Sequence, residues 1–328
     1  MKRYLITGAT GYIGSMLVKY ILERDKEAQV TVLVRERRKA ERMFSADIRI
    51  LTVDLTDRAE MKKLAVPCDY LIHCASVTRS AEMVSHPVEV TESIVNAVQN
   101  VLELAVRCCV QSMVYLSSME VYGTIDCGAD HRAEESEAAQ GRVELLNSRS
   151  CYPMGKRMSE NICYCYYREY GVPVKIARLA QTFGSGILPE ENRVFAQFAR
   201  AAREGRNIVL HTSGESVGNY CSIRDTIKGI LVILEKGENG QAYNVVNEKN
   251  TMTIKEMAEL VAEKIAEKKI QVTCDIQIEN SYGYAESTRL RLSGRKLAEL
   301  GWTPVQGMEE MYLELMDSLE NMADEKGD

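Results

Sequence analysis

Tyr152 and Lys156 are spaced i, i+4, which puts both side chains on one face of a helix. A phenol with an ordinary pKa of about 10 is a poor acid–base group at neutral pH. An ammonium beside it favours the phenolate, so Lys156 is expected to draw Tyr152 down towards working range. Ser117 and Ser118 end an apolar run, where a hydroxyl can hold the same substrate oxygen that Tyr152 protonates or deprotonates. Upstream lies a second constellation, Thr7-Gly8-Ala9-Thr10-Gly11-Tyr12-Ile13-Gly14. Gly8, Gly11 and Gly14 permit a tight turn, a close backbone approach to a pyrophosphate, and close packing of the following helix on its strand. Together the two constellations describe hydride-transfer chemistry beside a bound dinucleotide.

The elements that must position these residues are legible in the hydrophobic pattern. The first half predicts strands over Arg3–Thr7, Val30–Val34, Ile48–Val53, Tyr70–Ala75, Ser112–Ser117 and Val174–Leu179. Helices are predicted over Tyr12–Arg24, His86–Arg107 and Tyr152–Tyr170. Strands rich in β-branched residues without alternation are buried on both faces, and strand–helix alternation implies a doubly wound parallel sheet. The fold class is therefore α/β, Rossmann-like, with a smaller, interleaved C-terminal substrate lobe. The dinucleotide domain is expected over 1–180 and the substrate lobe over 181–322, with 219–247 returning to the first domain. In the second half, Arg193–Glu204, Ile223–Glu235, Ile254–Lys268, Gly294–Leu300 and Met308–Asn321 read as helices, with a cap at Thr253. Thr124–Arg149 is too long for a plain connection and reads as a functional or disordered loop.

That sheet assigns the cofactor neighbours. Thr10, Tyr12 and Ile13 belong to the glycine turn. The second strand ends Val34-Arg35 with Arg37 and Arg38 following, and no carboxylate stands at its tip. A carboxylate there suits ribose hydroxyls and an arginine a 2′-phosphate, so NADP is expected over NAD, on Arg35 with Arg38 beside it. The alternative is that these are solvated charges opening a helix. Asp54 and Leu55 follow the third strand as adenine neighbours, and Ala75 and Ser76 follow the fourth, near ribose and phosphates.

Bulk properties exclude several classes. Net charge is −6, with 41 Lys and Arg against 47 Asp and Glu, so no basic excess exists for a nucleic-acid partner. No apolar run approaches membrane-spanning length, and the chain opens directly on a strand, so a cytoplasmic protein is expected. The ten cysteines lack zinc spacing and read as reduced, mostly buried thiols. His73 reads as a packed core residue, and His86, His131 and His211 show no ligand spacing, so no metal is expected. Trp302 reads as packing the smaller lobe. The Met-rich helices near the end read as core or a subunit face.

The chain resembles the extended short-chain dehydrogenases/reductases, within them the nucleotide-sugar epimerase/dehydratase group, over nearly its whole length. The residues that carry this are Thr7–Gly14, Leu116-Ser117-Ser118-Met119-Glu120-Val121-Tyr122-Gly123, Tyr152-Pro153-Met154-Gly155-Lys156, Ala177–Gly184 and Leu300-Gly301-Trp302. Arg149–Tyr152 through Gly155–Arg157 looks most like the UDP-glucuronate decarboxylase branch. The resemblance implies that Ser118, Tyr152 and Lys156 are the catalytic trio for hydride transfer at a sugar carbon, with Lys156 also on the nicotinamide ribose. It implies a later step for Glu120, whose alternative is a carboxylate held by local backbone. It further implies a homodimer built on His86–Arg107 and Tyr152–Tyr170. The departures fall on the substrate side. Met119 stands where relatives have an acid or a serine, Gln181 where an asparagine contacts substrate, Gly218 where an arginine grips pyrophosphate, and Arg224 where an aspartate is common. Arg193 and Arg289 remain as substrate-phosphate candidates. An NADPH-dependent ketone reductase on a non-sugar substrate, and an NADP-binding sensor without catalysis, are the competing readings.

Overall fold

The computed structural model describes residues 1–125, 134–188, 190–276 and 289–324. Seven parallel strands form the central sheet: β1 (Arg3–Thr7), β2 (Gln29–Val34), β3 (Arg49–Thr52), β4 (Tyr70–His73), β5 (Ser112–Ser118), β6 (Val174–Leu179) and, after four short strands, β11 (Ala242–Val245). Their spatial order is β11-β6-β5-β4-β1-β2-β3. The chain winds outward from β1 through β2 to β3, then returns to the other side of β1 with β4. Register sets Thr7 beside both Leu33 and His73. The reversal opens a crevice at the carboxyl ends of β1 and β4, which is where ligands bind in open α/β sheets.

Each face of the sheet has its own core, because strands buried on both sides must be covered twice. On one face Ile6, Val32, Val114 and Ala177 pack with α1 (Tyr12–Arg24), Ala40 of α2 (Arg37–Met43) and α8 (Ile223–Lys236). On the other, Leu5, Leu71, Met113 and Ile176 pack with α3 (Arg58–Lys63), α5 (Pro87–Cys108) and α6 (Cys151–Tyr170). A short helix, α4 (Ser80–Ser85), precedes α5. Trp302 corrects the sequence reading. It lies in the first of these cores, with its indole Nε1 donating to the Asp225 carbonyl at 3.0 Å, and so packs under the main sheet rather than in the smaller lobe. Its position depends on a fold-back that local pattern does not encode.

The second lobe combines β7 (Gln181–Phe183), β8 (Ile208–Leu210), β9 (Val217–Gly218), β10 (Tyr220–Ser222), β12 (Met252–Thr253) and β13 (Val272–Cys274). They pair as β10–β7, β12–β9 and β13–β8. With them pack α7 (Val194–Arg203), α9 (Ile254–Leu260) and α11 (Met308–Asp324); α10 (Arg295–Ala298) precedes α11 in the chain. Phe183 stacks on Phe195 at 4.4 Å and meets Tyr312 and Tyr220 edge-on. Met308 and Met311 are buried in this core. The predicted helix from Ile254 is α9, capped by a Thr253–Glu256 capping box, followed by a π-turn over Val261–Ile265. Local pattern does not foretell the strands of this lobe. With two or three residues each, they carry no periodicity to read. Of the Thr124–Arg149 stretch, residues 126–133 (His131 among them) lie outside the described residues, as do 325–328 at the tail. Its flanks are tied down: Thr124 bridges Arg142, and Glu135 bridges Leu292.

Candidate active site

The crevice begins at the glycine turn. Gly8 has φ +66°, and a Cβ there would lie 2.5 Å from the backbone nitrogen of Ala75. That contact joins the turn after β1 to the chain leaving β4, which the sequence reading had placed near one another only by topology. Gly11 donates from its backbone to Gly8 at 3.0 Å. A Cβ at Gly14 would lie 2.3 Å from the Gly8 carbonyl oxygen, so α1 rests directly on the turn. Gly11 is the N-cap of α1 and supplies no capping side chain. The first N–H groups of α1, with its positive dipole end, therefore suit a phosphate. The chain leaving β4 meets the turn at Ala75, and the hydroxyl of the next residue, Ser76, is buried with no hydrogen-bond partner among the described residues. An orphaned buried hydroxyl one residue from the glycine turn fits a polar ligand. Thr7 Oγ1 hydrogen-bonds His73 Nδ1 at 2.7 Å and accepts from Ala75 N at 3.3 Å. Full burial pushes His73 down to about 3, so it sits in the core as a neutral ring.

The other turn residues divide. Thr10 is half-buried at the turn, and Ile13 packs against the first core. Tyr12 spans the two lobes, packing against both cores and donating from its phenol to the Ser185 carbonyl at 3.0 Å. Arg35 and Arg38 are exposed past the end of β2. Asp54 is held below the ordinary carboxyl range, first by the Thr56 backbone N–H and lastly by the charge of nearby Arg35. Leu55 is buried, and its carbonyl accepts from Asn100 Nδ2 at 2.8 Å.

Across the crevice, β5 ends at Ser118 and α6 opens at Cys151, so Tyr152 stands in the first turn facing the strand end. Tyr152 is 6% exposed and Lys156 2%. The Ser118 hydroxyl stands beside the Tyr152 phenol, close enough to favour its ionised form. Ser118 Oγ also accepts from Glu120 N at 3.2 Å, capping the single turn Met119–Tyr122. Lys156 donates from Nζ to the Leu116 carbonyl at 2.8 Å, 4.8 Å from the Tyr115 ring centroid and 5.8 Å from that of Tyr152. Burial draws the Lys156 ammonium down to about 8, with the Glu160 carboxylate opposing.

One expectation about this pair is not met. Burial, and then the charge of Glu120, push the Tyr152 phenol above its ordinary range; the nearby Ser118 hydroxyl, Arg193 and Arg149 offset this only in part. Desolvation of a phenolate outweighs an ammonium that is itself occupied by a carbonyl. In this state Tyr152 is a proton donor at neutral pH.

Arg149 is the residue that spacing did not reveal. It forks onto Glu120 at 2.7 and 3.2 Å, so the carboxylate is held by a side chain and not by local backbone. Beneath the site, Ser117 donates to Glu160 at 2.6 Å, and Arg178 forks onto the same carboxylate. This clamps α6 to the β5–β6 edge.

The family "NAD dependent epimerase/dehydratase family" matches residues 4–247. The chain belongs to that family. Among curated relatives, UDP-glucuronic acid decarboxylase 1 of Danio rerio is 27% identical over 312 residues, covering 94% of this chain and 70% of the relative. UDP-glucuronic acid decarboxylase 6 of Arabidopsis thaliana is 27% identical, covering 92% and 84% respectively. Among solved structures, the UDP-glucose 4-epimerase of Thermotoga maritima, determined with UDP-glucose, superposes with a TM-score of 0.84 at 20% identity, covering 98% of this chain and 99% of that one.

Within this member of the epimerase/dehydratase family the substrate side departs from the pattern for a visible reason. Gly218 lies under the Tyr220 ring, and a Cβ there would meet the phenol oxygen at 2.3 Å and ring carbons at 2.5 and 2.6 Å. The aromatic ring fills the space over Gly218 that any larger side chain would enter. Met119 packs against the small apolar cluster that holds Val121, Tyr122 and Leu290. Gln181 is half-buried in β7, with its backbone donating to Asn219. Arg224 pairs with Glu314 at 3.2 Å. The charge of Arg193 partly opposes the upward push of burial on Tyr12 and Tyr152, while Glu191 holds it in a fork at 2.9 and 2.6 Å. Arg289 is exposed, and the carbonyl of the next residue, Leu290, accepts from Asn219 Nδ2 at 2.8 Å. No cluster of three His, Cys, Asp or Glu suited to a metal occurs among the described residues, and no helix among them is long and apolar enough to cross a membrane.

Proposed function

We propose that this protein is a nicotinamide-dinucleotide enzyme that acts on a nucleotide-linked sugar by hydride transfer at a sugar carbon. The observation that carries the reading is the placement of Ser118, at the end of β5, beside buried Tyr152 in the first turn of α6, on the same carboxyl edge of the sheet as the glycine turn and the unpartnered Ser76 hydroxyl. The dinucleotide, when bound, supplies the hydride acceptor or donor. Gly8, Gly11, Gly14, Thr10, Ile13, Ala75 and Ser76 would seat it through backbone contacts, with Asp54 and Leu55 beside the adenine. Tyr152 holds the proton exchanged with the substrate hydroxyl or carbonyl, Ser118 holds that oxygen, and Lys156 fixes the face of α6. Glu120 serves a later proton transfer beside the new carbonyl, with Arg193 and Gln181 on the substrate. The relatives' names, decarboxylases of UDP-glucuronic acid and a dTDP-D-glucose 4,6-dehydratase of Dictyostelium discoideum, support a nucleotide sugar as the substrate class.

The cofactor reading is NADP in preference to NAD, because the tip of β2 presents Arg35 and no carboxylate. The protein is read as a cytoplasmic homodimer through the outer faces of α5 and α6, where Val88, Met154 and Met158 are exposed. Residues 1–180 are read as the dinucleotide domain, and 181–322 as the substrate lobe, from which α8 and β11 rejoin the sheet.

A second reading, a simple NADPH-dependent ketone reductase, is favoured by one observation, the Tyr220 ring standing over Gly218. A thermal-shift screen with UDP-, dTDP-, GDP- and CDP-sugars, each with NAD and with NADP, decides between them. A ligand at one hundred times its Kd adds about 2.7 kcal/mol of native-state stability, a rise of roughly 4 °C for a chain this size. A shift with one nucleotide sugar supports the proposal. No shift with any of them, alongside turnover of free ketones, would leave the reductase.

A further inference from the structure

Residues 184–186 carry the chain out of β7, and one face of α1 leans on them. The Tyr12 phenol donates to the Ser185 carbonyl at 3.0 Å. One helical turn further on, Met16 lies against Gly186, where a Cβ would meet its sulfur at 2.8 Å. Tyr12 and Met16 are spaced i, i+4, so both contacts come from the same face of α1. Gly184 and Gly186 hold φ +137° and +72°, a backbone that larger residues rarely adopt, so the path of this segment is written into its glycines.

The same segment is rooted in the second lobe. The Gly186 N–H donates to Ser318 Oγ of α11 at 2.8 Å, and Phe183 and Ile187, on either side, are buried in that lobe's core. The Tyr12 ring packs against both cores. Gln181 precedes the segment and Arg193 follows it, so the two side chains proposed to meet the substrate are carried by the chain on either side. At its other end this path of contacts begins in the glycine turn. Tyr12 is the first residue of α1, directly after Gly11, which offers no capping side chain. The first N–H groups of a helix have no intrahelical partner, and without a capping side chain they wait for another acceptor. An anion there satisfies them and complements the dipole, which firms the turn. The residue firmed first is the one whose phenol reaches the second lobe. Met16 is held by the helix ladder in either state, so the anion-sensitive contact is that of Tyr12.

We propose that Tyr12 is a positioning residue that couples dinucleotide occupancy of the glycine turn to the order of residues 184–186, and through them to the placement of Gln181 and Arg193. This rests on the reading of that turn as the dinucleotide seat. The phosphate acts on the Tyr12 backbone, and the Tyr12 hydroxyl acts on Ser185. Ser318 and Ile187 pass the constraint to the second lobe. Coupling of this kind is reciprocal, so a nucleotide bound by the second lobe firms the same hydrogen bond and tightens the dinucleotide seat.

The experiment is hydrogen–deuterium exchange of the full chain, wild type and Tyr12→Phe, with and without saturating NAD or NADP, followed on peptides covering 7–16 and 183–188. Phenylalanine keeps the ring between the two cores and removes only the hydroxyl. In the wild type both peptides should slow, 183–188 by about fivefold, the shift in local opening that one net hydrogen bond supplies. In Tyr12→Phe the 7–16 peptide should slow as before, while the effect of dinucleotide on 183–188 falls below about twofold. A hydroxyl with a structural role alone would speed 183–188 by the same factor with and without dinucleotide, and that result overturns the proposal. So does a wild type in which 7–16 slows and 183–188 does not. Slowing of neither peptide strikes down the dinucleotide seat itself, and the coupling with it.

Discussion

Replacing Gly8 with alanine tests the cofactor crevice where the glycine turn meets the chain leaving β4. The new Cβ would lie 2.5 Å from Ala75 N, 2.7 Å from Ala75 Cα and 2.8 Å from the Cys74 carbonyl carbon, all of them backbone atoms. None can swing away, so the turn and the end of β4 must part by several tenths of an ångström. Forced overpacking of that kind costs about 1–3 kcal/mol. A non-glycine residue at φ +66° adds about 1 kcal/mol, and the loss of glycine's unfolded-state freedom returns up to about 1 kcal/mol. The net loss, about 1–3 kcal/mol, lowers the melting temperature by roughly 2–4 °C for a chain of 328 residues. Gly205→Ala is the control, because Gly205 has φ +63° with nothing within 4 Å of a Cβ and so carries the backbone term alone. The assay is thermal unfolding with and without dinucleotide, alongside a binding titration. Gly8→Ala should melt below Gly205→Ala and bind the dinucleotide at least tenfold more weakly. If the two variants melt alike and both bind like the wild type, the turn is not the cofactor seat.

Three further outcomes follow from the site. Tyr152→Phe should lower turnover by at least a hundredfold while dinucleotide binding is kept, read by single-turnover kinetics and titration; unchanged turnover removes Tyr152 from the chemistry. Arg35→Asp should shift cofactor preference from NADP towards NAD in competitive binding, and an unmoved ratio refutes the Arg35 assignment. His73 carries a pH signature: its folded pKa, about 3, lies below the unfolded value near 6.5, so its contribution is fully present above pH 6.5 and is lost as pH falls towards 3. Stability should decline below pH 6.5 by up to about 1.4 kcal/mol per unit from this group alone, and His73→Asn should flatten that part of the denaturant-derived profile.

The sheet and the glycine turn were readable because both rest on local pattern. Uninterrupted β-branched runs and amphipathic stretches carry their period over five to twenty residues, and three glycines at one strand–helix junction have few other uses. The trio was readable for the same reason, since Tyr152 and Lys156 share a helix face by spacing and Ser118 ends a strand. Gly218 is legible as a departure, but its cause is not: the Tyr220 ring lies over it across the single residue that separates β9 from β10.

Residue types and their order along the chain determined the fold class, the cofactor crevice and the three residues facing it. Tertiary structure alone decided the rest. Arg149 meets Glu120 only because the chain after Gly123 returns to the start of α6, and no spacing relates positions 29 apart. Trp302 lies under the main sheet because its segment folds back onto α8. Cys108 meets the Val66 carbonyl because α5 runs back along β4 to its start. The proton affinity of Tyr152 shows the difference most clearly. Its partners were legible, yet burial, a property of the whole packed crevice, outweighs them and pushes the phenol upward.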